Sequence, residues 1–248
     1  MQTTAALIHE TGTTSAARPW LMLISRSILF ITAQALIALS LTVTSVGAAW
    51  TEAARWWILF PIFANIISII LLIYCFRAEG KRYFDILRFN RATLKTDLLW
   101  FFGSGVIGLP IAAAPMNFLG QAIFGDAMAP IHMLFRPLPA WALVVGLLFP
   151  LTIAFAELPT YFGYAMPRLF DGKHPWLAYL VSAAFLAIQH IFLPFIADGR
   201  YLLWRGLMFL PFALYGGLMV KLRPNLLPYF VIVHALMDVS VLLTYLTL

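Results

Sequence analysis

The sequence predicts an all-α, polytopic membrane protein, with about seven or eight transmembrane helices around a central polar cavity. Hydrophobic residues fill 62% of its 248 positions and charged residues 10%, whereas soluble domains are roughly half apolar and a quarter charged. Mean hydropathy is +0.91. Apolar runs of about 18 or more residues, long enough to cross a bilayer as helix, recur along the whole chain, and the alternating polarity of barrel strands does not. Residues 1–248 are therefore expected to form one integral-membrane domain.

Residues 1–18 read as a polar tail. The apolar stretch after Arg18 is too long for a signal-peptide core, so it is expected to remain as a first span near 20–48, with no soluble domain at either end. Further spans fall near 56–76, 99–116, 139–167, 175–195, 203–221 and 225–247. The stretch 117–137, with Asp126, His132, Arg136 and several prolines, fits an outer loop, a re-entrant segment or an eighth span.

The dense charge cluster, RAEGKRYFDILRFNRATLKTD between Arg77 and Asp97, marks a cytoplasmic loop. With seven alternating spans, the N-terminus, the loop from Arg168 to His174 and the Lys221/Arg223 loop then lie inside. Arg26 counts with them, and Arg55, Arg136, Arg200 and Arg205 fall outside. The expected location is a plasma or inner membrane with a cytoplasmic N-terminus. Within the basic loop Tyr83, Leu87, Asn90, Leu94 and Leu98 recur at roughly helical spacing, which fits either a helix in the headgroup region or a solvated connector. The net charge of +6 belongs to these loops, so the expected partners are membrane lipids and not nucleic acid. The single cysteine, Cys75, excludes an intramolecular disulfide. No internal repeat supports an inverted-repeat transporter.

Four ionisable residues sit deep in predicted spans: Glu157, His190, His234 and Asp238. Such groups are costly in hydrocarbon and mark functional cavities by default. Counting helical rise from the cytoplasmic ends, Glu157 lies about 16 Å from Arg168, His190 about 22 Å from Pro175, His234 about 14 Å from Asn225 and Asp238 about 20 Å. All four fall in the middle third of the bilayer. His234 and Asp238, four apart, share a helix face. Of the ten acidic residues only Glu157 and Asp238 lie this deep, and of the five histidines only His190 and His234 do; His9, His132 and His174 fall in the tail or loops. The alternative is a polar network that locks helices together. Pro159 removes a backbone donor two residues after Glu157 and should kink or unwind the span there.

A carboxylate beside a histidine in a low-dielectric cavity can deprotonate water, and a second His/Asp pair can stabilise an oxyanion. That outlines amide hydrolysis without a covalent intermediate. Cys75 is remote and no serine lies in a GxSxG context, so nucleophilic variants fit poorly. The four residues are acceptable zinc ligands, but no HExxH is present and each histidine comes from a different helix, so neither a metal nor another cofactor is expected.

These residues resemble the motifs of the CAAX-protease and bacteriocin-processing (CPBP, or Abi) family of intramembrane endopeptidases. Its first motif, approximately EExxxRG followed by an aromatic residue and often PRL, is similar to Glu157, Gly163, Tyr164 and Pro167-Arg168-Leu169. Its second, FxxxH, resembles Leu186 to His190, with Leu in place of Phe. Its third, HxxxN or HxxxD, matches His234 and Asp238 behind RPNLLPYFVIV. The resemblance covers residues 95–248 and implies about eight helices, with Glu157 and His190 activating water and His234 and Asp238 stabilising the oxyanion. Leu158 and Phe162 stand where the motif has its second Glu and its Arg, so both members of a supporting charge pair are missing. Two readings follow: a peptidase acting on a membrane-presented peptide or protein, or a catalytically degenerate scaffold, immunity or partner-stabilising protein. A proton- or metal-coupled transporter is a third.

Overall fold

The computed structural model describes residues 16–247. Every described element is helical, and six helices are long and apolar enough to cross a membrane: α1 (Ala17–Val43), α3 (Phe60–Arg77), α4 (Leu94–Phe124), α9 (Pro175–Ile188, which a 3-10 turn extends to Phe192), α10 (Gly199–Leu222) and α11 (Leu227–Thr247). Between them lie the short helices α2 (Ala49–Ala54), α5 (Ala129–Leu134), α6 (Ala140–Gly146), α7 (Leu148–Ile153) and α8 (Met166–Arg168). The chain is thus a multi-pass helical membrane protein, with slightly fewer long helices than the seven or eight expected. Large apolar side chains line its outside as well as its core, among them Leu21, Leu39, Ile70, Leu99, Val106 and Leu243, as helices between protein and lipid require. The polar tail, including His9, lies outside the described residues except for its last few positions.

The missing long helix is the predicted span 139–167. It is not continuous: α6 and α7 are followed by a turn at 154–156, two helical residues at 157–158, a π-helical segment Pro159–Ala165 and the one-turn α8. Proline explains the break. Pro159 has no N–H to offer the carbonyl four residues back, which is that of Phe155. The Tyr83 hydroxyl, from the basic loop, donates to that carbonyl instead. Pro167 likewise frees the Gly163 carbonyl, and Arg168 Nη1 reaches it at 3.4 Å and the Tyr164 carbonyl at 2.9 Å. A broken backbone inside a membrane protein needs such substitutes.

The basic loop accordingly forms neither a headgroup helix nor a wholly solvated connector. Tyr83–Leu87 is a 3-10 turn, with Tyr83 buried, and Ile86 lies so close to Gly163 that a Cβ there would meet its Cδ1 at 2.6 Å. The stretch 117–137 resolves into the end of α4, a left-handed Gly125 (φ 75°) and α5. At six residues, α5 is about 9 Å long, too short to span or re-enter the bilayer.

Contacts sort the loops into two ends. At one end Trp20 meets Phe170 at 5.5 Å, Arg168 pairs with Glu79 at 2.6 Å, Lys221 lies 4.3 Å from the Trp176 ring and Arg223 pairs with Asp97 at 2.6 Å. At the other, Arg136 pairs with Glu52 at 3.0 Å and Trp57 donates to the Leu134 carbonyl at 2.9 Å. Arg26 and Arg205 belong to neither end, contrary to the sequence reading. Both are buried in the interior.

Candidate functional site

The site forms where the broken segment meets α1, α3, α9 and α11. Glu157 is the first helical residue after the turn at 154–156, two before Pro159, and is 1% exposed. Its Oε2 accepts from Gln189 Nε2 at 2.7 Å and lies 3.4 Å from Arg26 Nη2. Its Oε1 faces His234 Nε2 at 3.0 Å, and the same nitrogen stands 3.4 Å from Asp238 Oδ2. One ring nitrogen cannot aim a single N–H at both carboxylates. Although these distances qualify as ion-pair contacts, the angles leave Glu157 Oε1, both His234 nitrogens and Asp238 Oδ2 without an aligned hydrogen bond. That is hydrogen-bonding capacity that no described residue fills. His234 and Asp238 are the more open members, with side chains 14% and 15% exposed.

His190 sits in the 3-10 turn Gln189–Phe192 that ends α9. Its Nδ1 lies 2.8 Å from the Leu186 carbonyl; a carbonyl only accepts, so Nδ1 donates and a neutral ring carries its lone pair on Nε2. The ring stacks on Phe209 at 3.6 Å. It lies within electrostatic reach of Glu157 and His234, but no hydrogen bond joins it to the other three among the described residues. Glu157, His234 and Asp238 therefore meet directly, and His190 flanks them.

The sequence reading missed the residues that hold Glu157. Arg26, fully buried, donates Nε to Gln189 Oε1 and Nη1 to Asn65 Oδ1, each at 2.9 Å. It also reaches Ser68 Oγ at 3.4 Å. Tyr161 donates its hydroxyl to Gln189 Oε1 at 3.0 Å, and Asn65 Nδ2 donates to Thr152 Oγ1 at 3.0 Å. A charged support does exist, then, but it comes from the first helix. The positions where the motif expects charge are apolar core instead. Leu158 and Phe162 are both buried, and they line a pocket with Leu186, Ala213, Gly216 and Phe230.

Chemically, Arg26 offsets the charge of Glu157, and Arg26 with Gln189 fixes the carboxylate so that Oε1 points at His234. Among the described residues no three His, Cys, Asp or Glu side chains gather as metal ligands would. The fold and this site define a multi-pass helical membrane protein with a buried Glu/His/Asp cluster at a broken helix. No protein-family model, curated protein or solved structure matches the chain.

Proposed function

We propose that this chain is an intramembrane peptidase of the kind that the CPBP motifs suggest, hydrolysing an amide bond of a peptide or protein presented within the membrane. The supporting observation is the oriented carboxylate of Glu157, with Oε2 held by Arg26 and Gln189 and Oε1 turned towards His234. In the reaction, water oxygen attacks the carbonyl carbon while its proton passes to Glu157 Oε1, with His190 Nε2 available as the second acceptor. His234, donating an N–H, and Asp238, donating only when protonated, stabilise the oxyanion. Collapse breaks the C–N bond, and the proton returns to the leaving amine.

The test compares membrane proteomes of cells carrying the wild-type chain, Glu157→Gln and His190→Ala, with folded protein quantified in each. Loss of specific cleavage products in both variants is expected; unchanged processing in both would sink the hydrolytic assignment.

A second reading is favoured by the same contacts. The Arg26 network ties α1, α3, α9 and the broken segment together, as a structural clamp in a non-catalytic scaffold would. The variants then change the amount of folded protein but no cleavage product. In either case the basic end, with the N-terminus, faces the cytoplasm of a plasma or inner membrane. Thiol labelling of Arg91→Cys and Arg136→Cys in a Cys75→Ser background, from each side of intact cells, reports this directly; labelling of position 91 from outside would reverse the orientation.

A further inference from the structure

We propose that Arg205, Tyr201 and Tyr245 form a subsite for a carboxylate group, carried by an amphiphile that reaches it from the membrane. Arg205 is 4% exposed, and among the described residues no acid pairs with it. Its Nε and Nη2 donate to the Leu193 carbonyl at 3.2 and 2.8 Å, and Nη1 has only the Met208 sulfur at 3.8 Å. One N–H on each terminal nitrogen stays uncommitted. The rings of Phe209, Trp57 and Trp204 lie 5.0, 5.8 and 5.9 Å from the guanidinium carbon; they stabilise the cation but do not neutralise it.

The two phenols supply a second, independent observation. Tyr201 is fully buried, and among the described residues neither its hydroxyl nor that of Tyr245 has an aligned hydrogen-bond partner. The nearby Trp57 N–H is already taken by the Leu134 carbonyl. Tyr201 and Arg205 stand four apart on α10, hence on one face, and Tyr245 approaches from α11 with its ring 6.4 Å from that of Trp57. Arg205 lies within electrostatic reach of both phenols, and of Glu157 without an ion-pair contact. A buried, unpaired cation beside two unsatisfied hydroxyls is costly unless an anion completes it.

The donor set points to a carboxylate. A single cation balances a single charge, and two oxygens with their lone pairs match two guanidinium N–H groups and two phenols, whereas a phosphate dianion would leave charge unbalanced. The aromatic surround suits a ligand whose remainder is apolar. Either the free C-terminal carboxylate of an apolar peptide or the headgroup of a fatty acid has this chemistry. Phe209 lies between this subsite and the site above, against Arg205 on one contact and against His190 on another. The proposal does not depend on hydrolysis.

The full chain, purified in detergent, is titrated calorimetrically with two matched pairs: an apolar peptide acid and its C-terminal amide, and a long-chain fatty acid and its methyl ester. The acid of at least one pair should bind about tenfold or more tightly than its neutral analogue, a difference of about 1.4 kcal/mol, because a hydrogen bond to a charged group is stronger than one between neutral partners. The pair that discriminates identifies the source. Arg205→Met should abolish the preference. Because that variant also loses the bonds to Leu193, Tyr201→Phe and Tyr245→Phe provide the cleaner control. Each removes an unpartnered hydroxyl, so thermal stability should hold while acid preference falls several-fold. Equal binding of acid and neutral analogue in both pairs, or full preference in both tyrosine variants, overturns the proposal.

Discussion

Replacing Arg26 with methionine removes the cation from the centre of the polar network while keeping an unbranched apolar stem in place. Arg26 donates to Gln189 and Asn65 at 2.9 Å and lies 3.4 Å from Glu157 Oε2, with both ionic partners almost wholly buried. Breaking a buried pair by removing one member costs about 3–5 kcal/mol, because the remaining charge is left uncompensated. Glu157→Gln alone should destabilise as well, by leaving Arg26 unpaired, though the new amide keeps the volume. The double variant carries neither charge, so its loss should fall short of the summed single losses by about 1–3 kcal/mol, the range for residues in one network. Arg26→Lys should lie between wild type and Arg26→Met, since it keeps charge but loses the fork that serves Gln189 and Asn65 together. Denaturant unfolding in detergent micelles, followed by tryptophan fluorescence, measures all four. Additive single losses, or a cost for Arg26→Met below about 1 kcal/mol, would refute the claim that Arg26 positions Glu157.

Two further outcomes test how the break is held and how closely the apolar core packs beside it. Tyr83→Phe strands the Phe155 carbonyl that Pro159 leaves free, so it should cost about 1–3 kcal/mol, whereas Phe84→Leu beside it should cost less; the unfolding midpoints of the two compare them, and equal midpoints would contradict the role given to the hydroxyl. Leu158→Glu and Phe162→Arg each place a charge in apolar core, where a Cβ on Gly217 would already approach Phe162 Cε1 to 2.7 Å; each should cost about 3–5 kcal/mol, and together less than the sum because the two stand four apart. Wild-type folded yield from either single variant would show that this core tolerates a charge.

What the sequence made legible follows from how local the physics is. Apolar runs of bilayer length need no partner to be recognised, so the long helices were readable, as was the shared face of His234 and Asp238, which depends only on helical pitch. Pro159 announced the broken segment because a missing N–H is a property of one residue. The number of long helices was read too high for the converse reason: the composition of 139–167 satisfies a span, but the Phe155 carbonyl passes to Tyr83, a donor 72 residues away that no window along that stretch contains. Arg26 was misread in the same way. Near the start of a span it resembles a boundary charge, and only the packing of α1 against α9 and the broken segment turns it inward. A signal did exist, since an arginine in the interior of a 27-residue apolar helix, well beyond Arg18 at its start, carries the same cost as the acids and histidines that were singled out. Applying that cost evenly would have flagged Arg26 and Arg205 together. One has its carboxylate in Glu157; the other has none among the described residues, which makes Arg205, more than the cluster the motifs point to, the place where a ligand's charge is most needed.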